Sequence, residues 1–380
     1  MKQDTVVINT PAKHIVGEGK ERSSNIELLR IIAMFLVLVV HADYFSLGAP
    51  DSTAITSTPL SAIARCFFES CSITCVNIFV LISGWFGIKP SLRGFGNFIF
   101  QCAYFLFGIF AVMVLTKLAP FSVKGLASCF LALTWNWFIK AYICLYILSP
   151  VLNSFCKEEN KRPLRMVLLA YFLFQTMYGW LTPGAEFIEY GYSTISFIGL
   201  YLLARYVRLF APSFAKYSVR KDIAIIIISV LGLTIGECLR IKYHLPIAMM
   251  AYTNPLVIYI SLYTLILFSK FNFQSKTINW IAASSFAVFL LHTNYNVCKP
   301  YFTEHVRRIF ESYDGVRCII LIFVYLISVY VIAIVLDQPR KWIFNKFRKT
   351  KLRKIDKTCL NHTCRLSTST PCITKNNTLS

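Results

Sequence analysis

Apolar residues in this 380-residue chain are gathered into long runs separated by short polar stretches. Ten runs stand out, near 26–45, 66–88, 95–118, 126–148, 164–181, 194–210, 223–241, 256–268, 278–295 and 316–336. Most are about 17–22 residues long, close to the roughly 20 that a helix needs to cross the hydrocarbon core. The eighth is the shortest, and its natural start lies nearer Met249. The pattern predicts an all-α fold, a polytopic transmembrane helical bundle of about ten spans. Residues 1–25 read as a polar segment before the first span, 26–338 as the transmembrane domain, and 339–380 as a basic, disordered tail. The first run is too long for a cleaved leader and lacks a small-residue cleavage site, so it reads as a retained span.

The polar stretches then set the orientation. With the N-terminus inside, both termini and the even-numbered loops hold 28 of the 39 basic residues. The inner loops carry Lys89 and Arg93, then Lys157 to Arg165, then Arg205 to Lys221, then Lys270 and Lys276. This is the positive-inside distribution, and it places both termini in the cytoplasm of a multi-pass protein of the cell membrane. The loop around Glu186 and Glu189 has no Lys or Arg, as an outer loop should. Lys299, Arg307 and Arg308 in the last outer loop run against the trend.

Composition agrees with the pattern. Hydrophobic residues make up 56% and charged residues 15%, whereas a soluble domain carries roughly 25% charged. The net charge of +21 would suit a nucleic-acid partner, but basic residues confined to short loops and a tail point to anionic lipid headgroups instead. The 13 cysteines form no CxxC pair and lie mostly inside the runs, where cysteine behaves as a small hydrophobe. Cys359, His362 and Cys364 match no standard zinc spacing, and no metal site is expected.

Ionisable residues inside a span cost roughly 2.5–3.5 kcal/mol each, so each needs a reason. The first run carries Glu27, Arg30 and His41. Eleven residues of helix turn through about 20° more than three full turns, so Arg30 and His41 share a face. They stand about 16 Å apart along the axis, Arg30 near the inner mouth and His41 in the outer half. A plainer reading pairs Arg30 with Glu27 at i,i+3 and makes His41 a packing histidine bonded to a neighbouring helix. Ser83 and Gly84 close the second run near the level of Arg30, as catalytic support or as a close-packing pair. Glu69, one turn inside the outer end of that run, fits a mouth residue and a rim residue equally. Lys140 lies too deep in the fourth run for an interfacial anchor and must face protein, water or ligand. His292, in the ninth run, is about level with His41.

Asn25-Ile26-Glu27-Leu28-Leu29-Arg30, followed at His41 by a histidine, resembles the first-helix signature of the acyltransferase-3 family of membrane proteins. Phe79 to Phe86 is similar to that family's Phe-x-x-x-Ser-Gly-aromatic segment. Trp137-Phe138 with Tyr142, Tyr146 and Pro150 resembles its fourth-helix pattern, and Phe289-Leu290-Leu291-His292 its late Tyr-Leu-x-His segment. The matches run from Asn25 to about Lys341. The resemblance implies an O-acetyltransferase that moves an acyl group, commonly acetyl from cytosolic acetyl-CoA, to a hydroxyl of a cell-envelope glycan or glycolipid. It puts His41 and Arg30 in the places of the family's essential histidine and arginine, with Glu27, Ser83, Lys140 and His292 in support. One departure concerns the third helix, where many members are rich in arginine. This chain has Gly94-Phe95-Gly96-Asn97 and Gln101, so Lys89, Arg93 and Arg30 are left to hold the phosphates of CoA. Any relay to the final acceptor falls to other envelope-biosynthesis proteins or to direct transfer.

The chemistry suits these residues on its own terms. A sugar hydroxyl needs a base working near neutrality, which histidine supplies. An arginine fork holds phosphate or the acyl end of a donor. Direct attack assisted by His41 and an acyl-histidine intermediate are both open. The rival is a secondary transporter or exporter of an envelope precursor, for which a polar stripe through ten helices would also serve. Against it, matching halves with Gly- or Pro-interrupted helices are absent from the pattern.

Overall fold

A computed structural model describes residues 22–182 and 187–367, with the backbone alone described at 131–135, 189 and 347–367. Glu186, the side chain of Glu189 and the side chains of Cys359, His362 and Cys364 lie outside that description. Among the described residues there are helices and no strands. Every backbone polar group in hydrocarbon must be paired within its own segment, and apolar runs of this length achieve that only as helices. The chain opens with α1 (Ser24–Val40), α2 (Ser52–Ser57), α3 (Pro59–Ser72) and α4 (Cys75–Phe86). Next come α5 (Leu92–Leu115), α6 (Val123–Trp135), α7 (Trp137–Phe155) and α8 (Lys161–Thr176). Then follow α9 (Thr194–Phe210), α10 (Val219–Tyr243), α11 (Pro255–Ser269), α12 (Lys276–Ala282) and α13 (Ser285–His292). The last are α14 (Tyr295–Val297), α15 (Glu304–Ser312) and α16 (Gly315–Ser367).

Seven helical stretches among the described residues are long and apolar enough to cross a membrane. They are Ser24–Phe45, Pro59–Phe86, Leu92–Leu115, Trp137–Phe155, Glu158–Leu181, Val219–Tyr243 and Gly315–Lys346. The other three apolar runs take different forms. The run at 194–210 is α9, a 17-residue helix, and that at 256–268 falls in α11, of 15 residues. The run at 278–295 is broken by Ala283 and Ser284 into α12 and α13. The fourth run is also displaced. Asn136 adopts an extended backbone and its side chain accepts from the Ile139 amide at 3.1 Å. That cap ends α6 and starts α7, so the span begins at Trp137, eleven residues later than the run suggests. Lys140 therefore sits in the first turn of a helix rather than deep in one.

Helix α1 is central, packed against α3, α4, α11, α12 and α13. Its first turn is tied down by polar bonds. Ser24 Oγ lies 3.0 Å from both Gln274 Oε1 and Asn279 Oδ1, and Asn25 Nδ2 donates to the carbonyls of Phe268 and Phe271. Against α4 lies α9, and the approach depends on Gly84, where a Cβ would run into the Tyr201 carbonyl. A buried Lys270–Asp222 ion pair links the ends of α11 and α10. The described residues up to Ile334 form one compact unit and those from Val335 another. In the latter, Asp337 Oδ1 accepts from Arg340 Nε at 2.6 Å. The α16 backbone is helical as far as Ser367, into the segment read from sequence as a basic tail.

Candidate active site

The regular turns of α1 stop at Val40, and residues His41–Phe45 form a π-turn. Such widened turns inside helices are rare and often lie at functional sites. Ser46 Oγ donates to the His41 carbonyl at 2.5 Å, satisfying one of the groups this change of pitch frees. From α13, where the ninth run is broken, His292 reaches the same level. Its Nε2 lies 3.0 Å from His41 Nδ1, and its Nδ1 lies 2.6 Å from the Val288 carbonyl one turn back.

These two distances assign the protons. A carbonyl only accepts, so His292 Nδ1 carries hydrogen and, in the neutral ring, His292 Nε2 accepts. His41 Nδ1 must then be the donor, and His41 Nε2 is left with its lone pair. The order of donation is thus His41 to His292 to main chain. His292 is 1% exposed, with the Phe302 ring centroid 5.2 Å from its own, so its ring has little freedom to turn.

His41 opens onto a cavity of about 480 Å³ that extends along α1 from Met34 and on through the π-turn to Phe45. Small-molecule sites span roughly 300–1,000 Å³. One wall is aromatic: Trp137 and Phe138 from the start of α7, Phe286 and Phe289 from α13, and Tyr192 and Tyr252 from loops. The polar groups are His41, Tyr44, Cys75 and Glu69. Glu69 is 2% exposed, and its Oε2 has no hydrogen-bond partner. Its acidic neighbours are paired. Asp43 Oδ1 accepts from Arg65 Nε at 2.7 Å, while Glu237 accepts two bonds of 2.7 Å from Arg240 and a third from Tyr44 Oη at 3.2 Å.

The sequence-derived candidates divide. His41 and His292 come together. Arg30 bonds Glu27, the i,i+3 pairing anticipated as the plainer alternative, with its side chain 28% exposed and that of Glu27 8%. Arg30 does not line the cavity, but Met34 and Val37 on the same face of α1 do, and Arg30 lies about 6 Å before Met34 along the axis. Ser83 donates to the Phe79 carbonyl at 3.0 Å and lies 3.4 Å from Tyr142 Oη, away from the cavity. Lys140 is exposed on α7 although its neighbours Trp137 and Phe138 line the wall. Lys89 and Arg93 are exposed where α4 joins α5. Sequence reasoning left Glu69 undecided and passed over Tyr192 and Tyr252, whose loops carry no periodic signal.

A family model described as an acyltransferase domain matches residues 23–338. The chain belongs to the acyltransferase-3 family. The match takes in every helix from α1 to α15 and the first part of α16, and with it the whole cavity. Comparisons with curated proteins and with solved structures found no match. Its apolar helices and this family make the chain a multi-pass membrane acyltransferase.

Proposed function

We propose that this acyltransferase moves an acyl group, acetyl by preference, from cytosolic acyl-CoA to a hydroxyl of a cell-envelope glycan or glycolipid, with His41 as general base. The observation that carries the reading is the ordered His41–His292–Val288 hydrogen-bond chain facing a cavity large enough for reacting groups. In the reaction, His41 Nε2 takes the proton of the acceptor hydroxyl as its oxygen attacks the thioester carbonyl. The new C–O bond forms, the carbonyl is restored, and the C–S bond breaks. The departing CoA thiolate receives the proton back from the imidazolium, so no net charge remains. His292 accepts from His41 Nδ1–H throughout, holding the ring in one tautomer and supporting its charge, as the third member of a catalytic triad does.

In this reading α9, α11 and α12–α13 complete a ten-span bundle with both termini cytoplasmic, and the protein resides in the cell membrane. The basic loops supply the argument for orientation. The cavity then occupies the outer half, where acceptor arrives, and the donor reaches it from the Arg30 end. Arg30 keeps N–H groups beyond its bond to Glu27, and its planar fork suits the acyl or pantetheine end of the donor. Exposed Lys89 and Arg93 are available to CoA phosphates at the inner face. Ser83, bonded within α4 and near Tyr142, steadies α4 against α7.

The test is transfer of labelled acetyl from acetyl-CoA to envelope glycan in membranes holding wild type or His41→Ala at matched protein levels. Wild-type labelling should fall by about 10²–10⁴-fold in the variant, the usual contribution of a general base. Equal labelling makes His41 structural. Absence of both glycan label and free CoA with the wild type moves the exporter reading forward.

A further inference from the structure

Glu69 stands out from every other acidic side chain around the cavity. It is buried at 2% exposure, it lines the same cavity as His41, and its Oε2 has no hydrogen-bond partner. Arg65 bonds Asp43, and Arg240 bonds Glu237. A carboxyl group bonds through both of its oxygens, and an unsatisfied buried polar atom in a native site calls for an explanation. A ligand that carries hydroxyls provides one.

The rings beside it narrow the ligand. Glu69 lines the cavity together with Trp137, Tyr192 and Tyr252. Trp137, Tyr192 and Tyr252 stand with centroids 4.6, 5.1 and 5.9 Å apart, which is ring-to-ring contact distance. Rings in mutual contact form a wall. They leave no space among themselves for a cation, as an ammonium-binding cage would. An aromatic ring face held by edge-to-face neighbours, with a carboxyl oxygen unpartnered beside it, matches a pyranose ring, which carries apolar C–H faces and hydroxyls around its rim.

We infer that Glu69 with the Trp137–Tyr192–Tyr252 cluster is the acceptor subsite, and that it takes a pyranose whose C–H face packs against one ring of the cluster while neighbouring hydroxyls bond the Glu69 carboxyl group. The assignment rests on the acyl-transfer reading above and supplies the substrate class of its outer half. Glu69 positions the sugar so that a further hydroxyl meets His41 Nε2.

The experiment measures KM for acetyl-CoA and for extracted envelope glycan with the full-length protein in membranes, comparing wild type, Glu69→Gln and Trp137→Leu. Glu69→Gln should raise the glycan KM about 10-fold, the effect of losing a hydrogen bond, and leave the acetyl-CoA KM unchanged. Trp137→Leu should raise the same constant. Methyl glycosides of glucose, galactose, mannose and N-acetylglucosamine serve as soluble competitors beside choline. At least one glycoside should inhibit wild-type labelling and lose potency against Glu69→Gln. Should Glu69→Gln fail to fold, Glu69→Asp, which withdraws the carboxyl group by one methylene, should show the same split. Wild-type transfer with an unchanged glycan KM in the variants overturns the subsite alone, as does inhibition by choline and by none of the glycosides. A wild type that neither releases CoA nor labels glycan overturns the acyl-transfer reading first, and the subsite with it.

Discussion

At the scale of the residue, the histidine pair makes a demand that neither ring makes alone. His41 can act as a base at Nε2 only while its Nδ1 holds hydrogen, and the 3.0 Å contact to His292 Nε2 fixes that state. His292→Phe keeps most of the buried volume and removes the acceptor. We expect kcat for CoA release to fall about 10²-fold, within the range of acid–base contributions, with acetyl-CoA KM little changed. His292→Gln places an amide oxygen near the lost nitrogen and should recover part of the rate. An equal loss in both variants would show that His292 acts through packing. Some of this was legible beforehand. Counting turns puts Arg30 and His41 on one face of α1, and counting rise puts His292 level with His41. Glu69 could not be resolved that way, because a missing partner is a property of three-dimensional neighbours. The same holds for Tyr192 and Tyr252, which meet Trp137 only once the loops fold back.

Among elements, the contacts are set by small residues and caps that hydropathy does not register. Apolar runs reveal that helices exist and roughly how long they are. They are blind to Asn136, one polar residue whose side chain ends α6 and begins α7, and hence to the true depth of Lys140. The break at Ala283 and Ser284 escapes in the same way, though it is what allows α13 to deliver His292. Gly84 is the clearest case of an element contact carried by one position. A methyl there meets the Tyr201 backbone and the Ala204 side chain, and backbone cannot give way as the end of a long side chain can. Gly84→Ala should cost about 1–3 kcal/mol by overpacking, read as a lower thermal midpoint of the detergent-solubilised protein. A midpoint within experimental error of wild type would mean that α4 and α9 separate at little cost.

For the whole molecule, the open question is how the helices cross the bilayer. Seven stretches satisfy length and apolarity among the described residues, and the ten-span reading adds three shorter or broken ones. The two readings differ in which loops share a side, so labelling decides between them. Leu92, the first residue of the third of the seven stretches, is 93% exposed, and Tyr295 is 83% exposed after α13. In a background without other accessible thiols, a membrane-impermeant maleimide should label Tyr295→Cys in intact cells. Leu92→Cys should react only after permeabilisation. Labelling of both only after permeabilisation would put the two sites on the inner face, as seven spans require, and remove the proposed alternation. The bundle's polar interior was only partly legible in sequence, since a charge inside a run announces its cost and not its partner. Arg30 is the exception, since the i,i+3 spacing offered Glu27; Asp43 illustrates the rule, inside the first run but bonded to Arg65 on α3.

The last acceptor of the histidine chain is the Val288 carbonyl, and that choice shapes how the site can change by mutation. In a triad ending on a carboxylate, three codons can each abolish the arrangement. Here the terminal group belongs to the peptide backbone, so any residue at position 288 that keeps the helix regular also keeps the oxygen. The inheritance of the site is thereby reduced to two side chains and a turn of helix. Drift at position 288 would be filtered by packing alone, and of the substitutions at that end of the chain proline, which breaks the helix, becomes the one most damaging to the chemistry.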